Sequence, residues 1–380
     1  MKLNHIYKSI ACGVLLAMTA TSCDLDYNPV DTYSDVTEGV NKTDEKPIFN
    51  SVQDVETSMV TLHKKFRDQQ EHWYVDKLLI GDAHSDNAYA GTTGAEVVPY
   101  ETNSIEGSNS VLKRDWDRFL GDIAVANRII VGCDQLKALS ESERGKYQSQ
   151  AKIFRAMVMF DMVRLWGNFP VITTVGGDIT EDNVEEMYPT YFPPQNTAEE
   201  AYAQIEKDLT EAVENPNTPT NDTSDKSILT KSVARAMLAK VYAEKPLRDY
   251  AKVIKYADEL AADGFDLVED FSDLWAYDTE KKDCRVRNTK EAILEAHFPP
   301  GSGNWCTWMF GRNLSNWDES FTWAKWITPS RDLIRLYEEQ GDTKRYNESV
   351  VWYDCGWSNY YPADHYAFMY KCRSAFNSRS

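Results

Sequence analysis

Tryptophan is concentrated near the carboxyl end of this 380-residue chain, where eight of its eleven Trp fall in the last 106 residues. Residues 301–326 hold five of them together with several Gly and Asn, and show neither a helical nor a strand period. Indole faces stack on the apolar C–H faces of pyranose rings, while Asn and backbone groups can bond the hydroxyl rim. The segment therefore predicts a sugar-stacking platform formed by Asn304, Trp305, Trp308, Trp317 and Trp323. The alternative is that some Trp plug a large loop into the core, as we expect of Trp326 and Trp352.

A second loop, residues 81–110, is dense in Gly, Asn, Asp, Ser and Thr and is the other candidate wall of the site. It supplies Asp86, Asn87 and Tyr89, and Trp73 lies on the helix before it. His84 with Asp86 could also be read as catalytic residues or metal ligands. Because no HxxxH, HExxH or Cys-cluster motif accompanies them, we predict neither a metal nor another cofactor.

The short motifs of common enzyme classes are missing from the sequence. It contains no GxSxG and no GxxxxGK[ST], and Gly301-Ser302-Gly303 lacks the third Gly of a dinucleotide fingerprint. With 60 acidic residues, however, a pair of carboxylates suited to glycoside hydrolysis can arise by chance. The prediction is a binding protein rather than an enzyme, and an all-helical hydrolase or lyase acting on carbohydrate stays open as an alternative.

The charge balance excludes another class of function. The 60 acidic and 41 basic side chains give a formal net charge of -19. Neutralising phosphates requires a positive face, which this composition does not supply. Nucleic acids and anionic lipid headgroups are therefore not expected as ligands.

The amino terminus has the pattern of a bacterial lipoprotein signal. Lys2 and Lys8 precede a short apolar run that ends in Ala20-Thr21-Ser22-Cys23. We predict a signal peptide over residues 1–22 and lipidation at Cys23, against the alternative of a plain secretory signal with a chance Cys. Residues 23–50 are acidic and aperiodic, as expected of a tether. Acyl chains on Cys23 would hold the protein durably on a membrane.

Apolar residues recur at helical spacing through most of residues 51–264. Stripes at 52–66, 116–130, 147–166, 198–213, 231–243 and 250–262 predict successive helical hairpins, while 292–298 is the best strand candidate. We therefore predict one mainly all-α domain over residues 51–380, a tetratricopeptide-like array with long loops and few strands.

The helix predicted at 147–166 is apolar on nearly every side, so it should be buried among its neighbours. Arg155, Asp161 and Arg164 interrupt it, and buried charges persist only when they are paired. We interpret the three as a structural ion network; the alternative is a catalytic group.

Three blocks of the sequence resemble the SusD/RagB family: AKIFRAMVMFDMVRLWGNFPVITT (151–174), LTKSVARAMLAKVYAEK (229–245) and TPSRDLIRLYEEQGDTKRY (328–346). The resemblance implies a helical, tetratricopeptide-like glycan-binding lipoprotein of the outer membrane in Bacteroidetes. It also implies that the chain faces the cell exterior and acts with a SusC-type TonB-dependent transporter. Asp24 and Asp26 resemble the acidic export signal of surface lipoproteins in that phylum.

The resemblance leaves two questions open. Its RagB branch makes a peptide-binding surface lipoprotein a further alternative. Family members usually continue with another helical block after the point where YKCRSAFNSRS ends this sequence. We therefore expect this chain to lack the usual carboxyl-terminal part.

Overall fold

The computed structural model describes residues 47–90, 97–177, 179, 181, 183–244, 246–275, 277–278, 280, 283–298, 327–353, 361–362 and 365–371. The chain forms two units, Met1–Lys46 and Pro47–Ser380, and every described residue belongs to the second. The predicted signal peptide and Cys23 lie outside the described residues.

Helices make up most of the described chain, which confirms the prediction of a mainly all-α protein. In chain order they are α1 (Val52–Asp68), α2 (Asp76–Asp82), α3 (Val98–Glu101), α4 (Ser110–Gln135), α5 (Glu141–Trp166), α6 (Val184–Tyr191), α7 (Ala198–Glu214), α8 (Lys231–Ala243), α9 (Tyr250–Ala262), α10 (Arg331–Gln340) and α11 (Thr343–Ser349). A π-helical turn, Glu71–Val75, separates α1 from α2, and a 3₁₀ turn, Phe271–Leu274, follows α9. None of the helices in the described residues combines the length and the apolarity that a bilayer crossing requires.

The strands are short and pair two by two, always antiparallel. β1 (Ala88–Ala90) pairs with β4 (Ile327–Pro329), β2 (Tyr277–Asp278) with β3 (Asp283–Cys284), and β5 (Val350–Tyr353) with β6 (Tyr366–Met369). The strand predicted at 292–298 is wrong. Its side chains Ile293, Leu294 and Ala296 pack on the helical core, but its backbone runs through turns and irregular chain. The apolar run therefore reflects a loop that covers the core, not a ladder.

Capping residues decide where the long helices begin. The Ser140 hydroxyl accepts from the Glu143 amide, and the Glu143 carboxylate accepts from the Ser140 amide, so two otherwise unpaired donors are satisfied. Thr197 and Glu200 form the same capping box at α7, which begins where the 198–213 stripe predicts. Gly167 ends α5 with a φ of 72°, a conformation that favours glycine.

Helix α5 lies at the centre of the helical core and packs against α4, α7, α1 and α8. Buried side chains occur on all its sides, as its apolar sequence predicts. Phe49, inside the predicted tether, is also buried in this core. A Cβ added to Gly132 of α4 would lie 2.4 Å from the Phe49 ring, so glycine is what lets the two segments meet. The packed domain thus begins before residue 51.

The three charged residues predicted to form an ion network in α5 all have partners of opposite charge. Arg155 is buried and donates to both carboxylate oxygens of buried Asp208 at 2.7 and 2.8 Å. Asp161 pairs with Lys77, and Arg164 pairs with Glu244 at 3.0 Å. The structural interpretation is confirmed for Arg155. Arg164 is paired as predicted, but its expected burial is wrong, because its side chain lies in the last turn of the helix and is 54% exposed.

Candidate functional site

Both residues that flank the Trp-rich segment are fixed on the part of the chain between residues 74 and 90. The Phe298 ring lies 6.2 Å from the Tyr74 ring, and Ile327 pairs with Ala90 in the β1–β4 ribbon. Residues 299–326, and with them Asn304, Trp305, Trp308, Trp317 and Trp323, lie outside the described residues. Ile327, the described residue that follows this segment, is thus paired with the second predicted wall of the site.

That second wall is tied to the start of α10. The Ser330 amide donates to the Asn87 carbonyl at 3.0 Å, and the Ser330 hydroxyl donates to the Asp86 carbonyl at 2.5 Å. The side chains of Asp86 and Asn87 are exposed. Because these bonds use backbone carbonyls, they fix the position of both residues without involving the two exposed side chains.

Tyr89 belongs to a group of aromatic rings that we call the Tyr89 cluster: Tyr89, Trp352, Tyr361 and His365. The ring centroids of Tyr89 and Tyr361 are 6.3 Å apart, those of Trp352 and Tyr361 5.3 Å, and those of Trp352 and His365 4.3 Å with nearly parallel planes. The Tyr361 hydroxyl donates to the Pro329 carbonyl at 2.7 Å, and burial raises its pKa, so it stays a donor. The cluster joins the β1–β4 ribbon to the β5–β6 pair and so fixes Tyr89 of the second predicted wall.

The sequence did not reveal Tyr361 and His365. These two residues come close to Tyr89 through the antiparallel pairing of β5 with β6, so no periodic pattern in the sequence connects the three. Trp352, expected in the core, is half-buried and donates from its indole Nε1 to the Tyr346 hydroxyl at 2.7 Å. Trp326 lies outside the described residues.

The structure corrects the prediction that Trp73 contacts the ligand. Its side chain is 3% exposed and packs on the rings of Phe66 and Phe154, with centroids 4.7 and 5.5 Å away. A ligand cannot stack on a ring buried in this way, so the assignment of Trp73 to the binding site is wrong. The spacing in the sequence indicated a core position, because Trp73 follows Phe66 by seven residues and so continues the apolar stripe of α1.

The His84 side chain bonds to Asn103 rather than to Asp86. Its Nε2 lies 2.5 Å from the Asn103 side-chain oxygen, and its side chain is exposed. Within the described residues, no group of three or more His, Cys, Asp and Glu side chains is placed to hold a metal ion. The geometry gives no support to the catalytic or metal-ligating reading of His84.

A pair of buried carboxyl groups lies where α2 and α4 approach each other. Asp76 and Asp115 are both at most 1% exposed, and the Arg114 guanidinium donates to Asp76. Burial, and then the adjacent negative charge and hydrogen bond of Asp76, raise the pKa of Asp115 to about 9. At neutral pH Asp115 therefore keeps a proton and can donate it to Asp76.

This pair predicts a pH-dependent stability. Between pH 4 and 9 the folded chain holds a proton on Asp115 that the unfolded chain lacks, so the free energy of unfolding falls as pH rises. Asp115→Asn is neutral and keeps a donor for Asp76, so it should remove that slope, up to about 1.4 kcal/mol per pH unit. Urea unfolding at pH 5, 7 and 9 measures it. Asp117→Asn, an exposed change on the same helix, is the control and should leave the pH dependence as in the native chain. If the free energy of unfolding falls equally with pH in the native chain and in Asp115→Asn, the prediction is contradicted.

Residues 32–243, more than half of the chain, match the model of a family named SusD-like and described as starch-binding and associating with the outer membrane. The chain belongs to the SusD-like family. A SusD-like protein of Bacteroides ovatus is 25% identical over 309 residues, which are 78% of this chain and 50% of the relative. This SusD-like chain thus spans about half the length of that relative.

Solved structures share the fold of this SusD-like chain. One is a laminarin-binding SusD-like protein, with a TM-score of 0.66 and 20% identity over 86% of this chain and 73% of its own. Another is surface glycan-binding protein A of Bacteroides thetaiotaomicron in complex with laminarihexaose, with a TM-score of 0.66 and 14% identity over 85% of this chain and 71% of its own. At these identities the likeness concerns the fold alone.

Proposed function

We propose that this SusD-like chain binds a neutral oligosaccharide or polysaccharide at the cell surface and passes it to a SusC-type TonB-dependent transporter in the outer membrane. The observation that carries the proposal is the pairing of Ile327, which follows the Trp-rich segment, with Ala90 of the second predicted wall. Phe298, on the other side of that segment, lies against Tyr74, and the exposed side chains of Asp86 and Asn87 precede Ala90 by a few residues.

The comparisons support a binding protein rather than an enzyme. The family description names starch binding, and two of the structural neighbours are described by their binding of laminarin or of laminarihexaose. None of these descriptions names a reaction. The family description also supports a place at the outer membrane.

The chemistry of the proposed site is stacking on sugar faces with hydrogen bonds at the rim. Trp305, Trp308, Trp317 and Trp323 would supply the faces, and Asp86, Asn87, Asn304 and Tyr89 the polar contacts. A neutral ligand brings no counterions to release, so binding should be weak and nearly independent of salt. A millimolar dissociation constant corresponds to about -4 kcal/mol.

The experiment is a calorimetric titration of the protein with starch-type and laminarin-type glucans at low and high salt, beside a set of unfolded peptides. Saturable binding to one glucan with the same affinity at both salt concentrations supports the proposal. Binding to peptides without binding to any glucan would instead support the peptide-binding alternative. Release of reducing ends during the incubation would contradict a pure binding role.

We extend the proposal to the anchor at Cys23. Acylation there would hold the protein on the membrane, because each buried CH₂ contributes about 0.8 kcal/mol. Cys23→Ala should move the protein from the membrane fraction to the soluble fraction, as measured by fractionation and immunoblotting. Cys12→Ala, within the predicted signal peptide, is the control and should stay with the membrane. Unchanged partitioning of Cys23→Ala would rule out the anchor.

A further inference from the structure

Large apolar side chains are exposed together on the segment between α5 and α7. Of the twelve such side chains that are exposed among the described residues, five fall within fourteen positions. We call them the 179–192 surface: Ile179, Val184, Tyr188, Tyr191 and Phe192. Exposed apolar groups that are scattered singly need no explanation, but several on one short segment, two of them stacked rings, indicate an interaction site.

The surface is built on α6 and is internally ordered. None of the α6 side chains is buried, and the rings of Tyr188 and Phe192 stack with centroids 4.8 Å apart. The Tyr191 hydroxyl donates to the Gly177 carbonyl at 2.6 Å, which ties the end of the helix to the preceding chain. Pro189 and the two prolines after Phe192 restrict the backbone further. A partner would therefore meet aromatic groups that lose little entropy on binding.

The base of the segment is fixed to the helical core. The Asn196 amide donates to the Phe169 carbonyl at 2.9 Å and closes the segment. The Asn127 side-chain amide donates to the carbonyls of Ile172 and Thr174 at 2.9 and 3.2 Å. Arg155 in turn donates to the Asn127 side-chain oxygen at 2.8 Å. The buried ion pair is thus connected, through Asn127, to the chain that leads into this surface.

The charges around the surface decide what can cover it. Glu181, Glu185 and Glu186 are exposed at its edge, and the whole chain carries a net charge of -19. A second copy would bring like charges together, which is unfavourable. A glycan would find the Tyr188 and Phe192 rings partly covering each other. Complementary charge requires a partner with Lys or Arg around an apolar pocket.

We infer that the 179–192 surface docks against a protein whose facing surface is an apolar pocket bordered by Lys and Arg. Aromatic side chains at the centre and acidic ones at the rim match the usual anatomy of such an interface. The inference rests on the proposed function only for the existence of a protein partner. It does not depend on the glycan site.

Photo-crosslinking in cells that produce the full chain tests this inference. Benzoylphenylalanine replaces Phe192 in one variant and Val60, an exposed residue of α1, in the control. We expect an adduct from position 192 alone, to a peptide that is apolar and rich in Lys and Arg. Glu185→Lys with Glu186→Lys should reduce the adduct about tenfold. Glu338→Lys with Glu339→Lys, an equal charge change on exposed residues of α10, should leave it unchanged.

Several outcomes would overturn the inference: an adduct with a second copy, with lipid or with glycan only, an adduct to an acidic peptide, an equal effect of both charge reversals, or no adduct. Glucan titration of the same variants separates this inference from the proposed function. Intact glucan binding without the adduct overturns the docking surface alone. The adduct without glucan binding supports the surface and overturns the glycan role.

Discussion

Arg155→Met should lower the free energy of unfolding by about 3–5 kcal/mol, because it leaves a buried carboxylate without its counter-charge. Asp208 is 1% exposed and receives two hydrogen bonds from Arg155. After the substitution, the Gln204 side-chain amide, 2.9 Å away, would be its remaining described donor. Asn127 would also lose the guanidinium that fixes its oxygen. Urea unfolding followed by circular dichroism measures the loss.

The same helix offers a matched control. Arg164 also forms an ion pair, with Glu244 at 3.0 Å, but its side chain is 54% exposed. Exposed pairs contribute about 0–1 kcal/mol, so Arg164→Met should have a small effect. Arg155→Met with Asp208→Leu removes both buried charges and should recover most of the loss. Equal effects of the two Arg substitutions, or no recovery in the double variant, would contradict this account.

Single substitutions of Trp305, Trp308, Trp317 and Trp323 by Ala should abolish measurable glucan binding with little change in thermal stability. The binding free energy of a millimolar complex is only about -4 kcal/mol, and one stacked indole can supply a large part of it. Loss of one ring should therefore make binding undetectable. Trp73→Ala should behave in the opposite way. Its ring is packed in the core, so the loss should be about 3–5 kcal/mol of folding stability.

Two measurements on each variant, glucan titration and thermal unfolding, decide the assignment. If each platform variant loses stability in proportion to its loss of binding, the four Trp belong to the core. If binding survives in all four, the stacking site lies elsewhere. Asn87→Ala and Tyr89→Phe, made beside them, test the polar contacts of the second wall without removing an aromatic ring.

The sequence predicts the helical part of this molecule well because helices are local. The stripe at 198–213 places the start of α7 correctly, and the stripes at 231–243 and 250–262 agree with α8 and α9 at both ends. Periodicity also predicts that α5 is buried on every side. Each of these features depends on residues within a few turns of one another.

The surroundings of the site could not be predicted in the same way. Tyr89, Tyr361 and His365 meet through pairing of strands that are only a few residues long, and such strands leave little periodic pattern. Trp73 was misassigned because its aromatic type suggested a ligand contact, while its spacing from Phe66 indicated the core. Burial of the Asp76–Asp115 pair depends on how α2 packs on α4, which neither local sequence contains.

The β1–β4 ribbon has a consequence for the order in which the protein folds. It joins residues as far apart as Asp86 and Ser330, which are 244 positions apart in the chain. Closing so long a disordered chain costs about 5 kcal/mol in entropy, more than two three-residue strands can recover. The helices between them must therefore fold first and shorten the span. The second wall of the proposed glycan site would then assemble last, and it could open locally while the helical array stays folded.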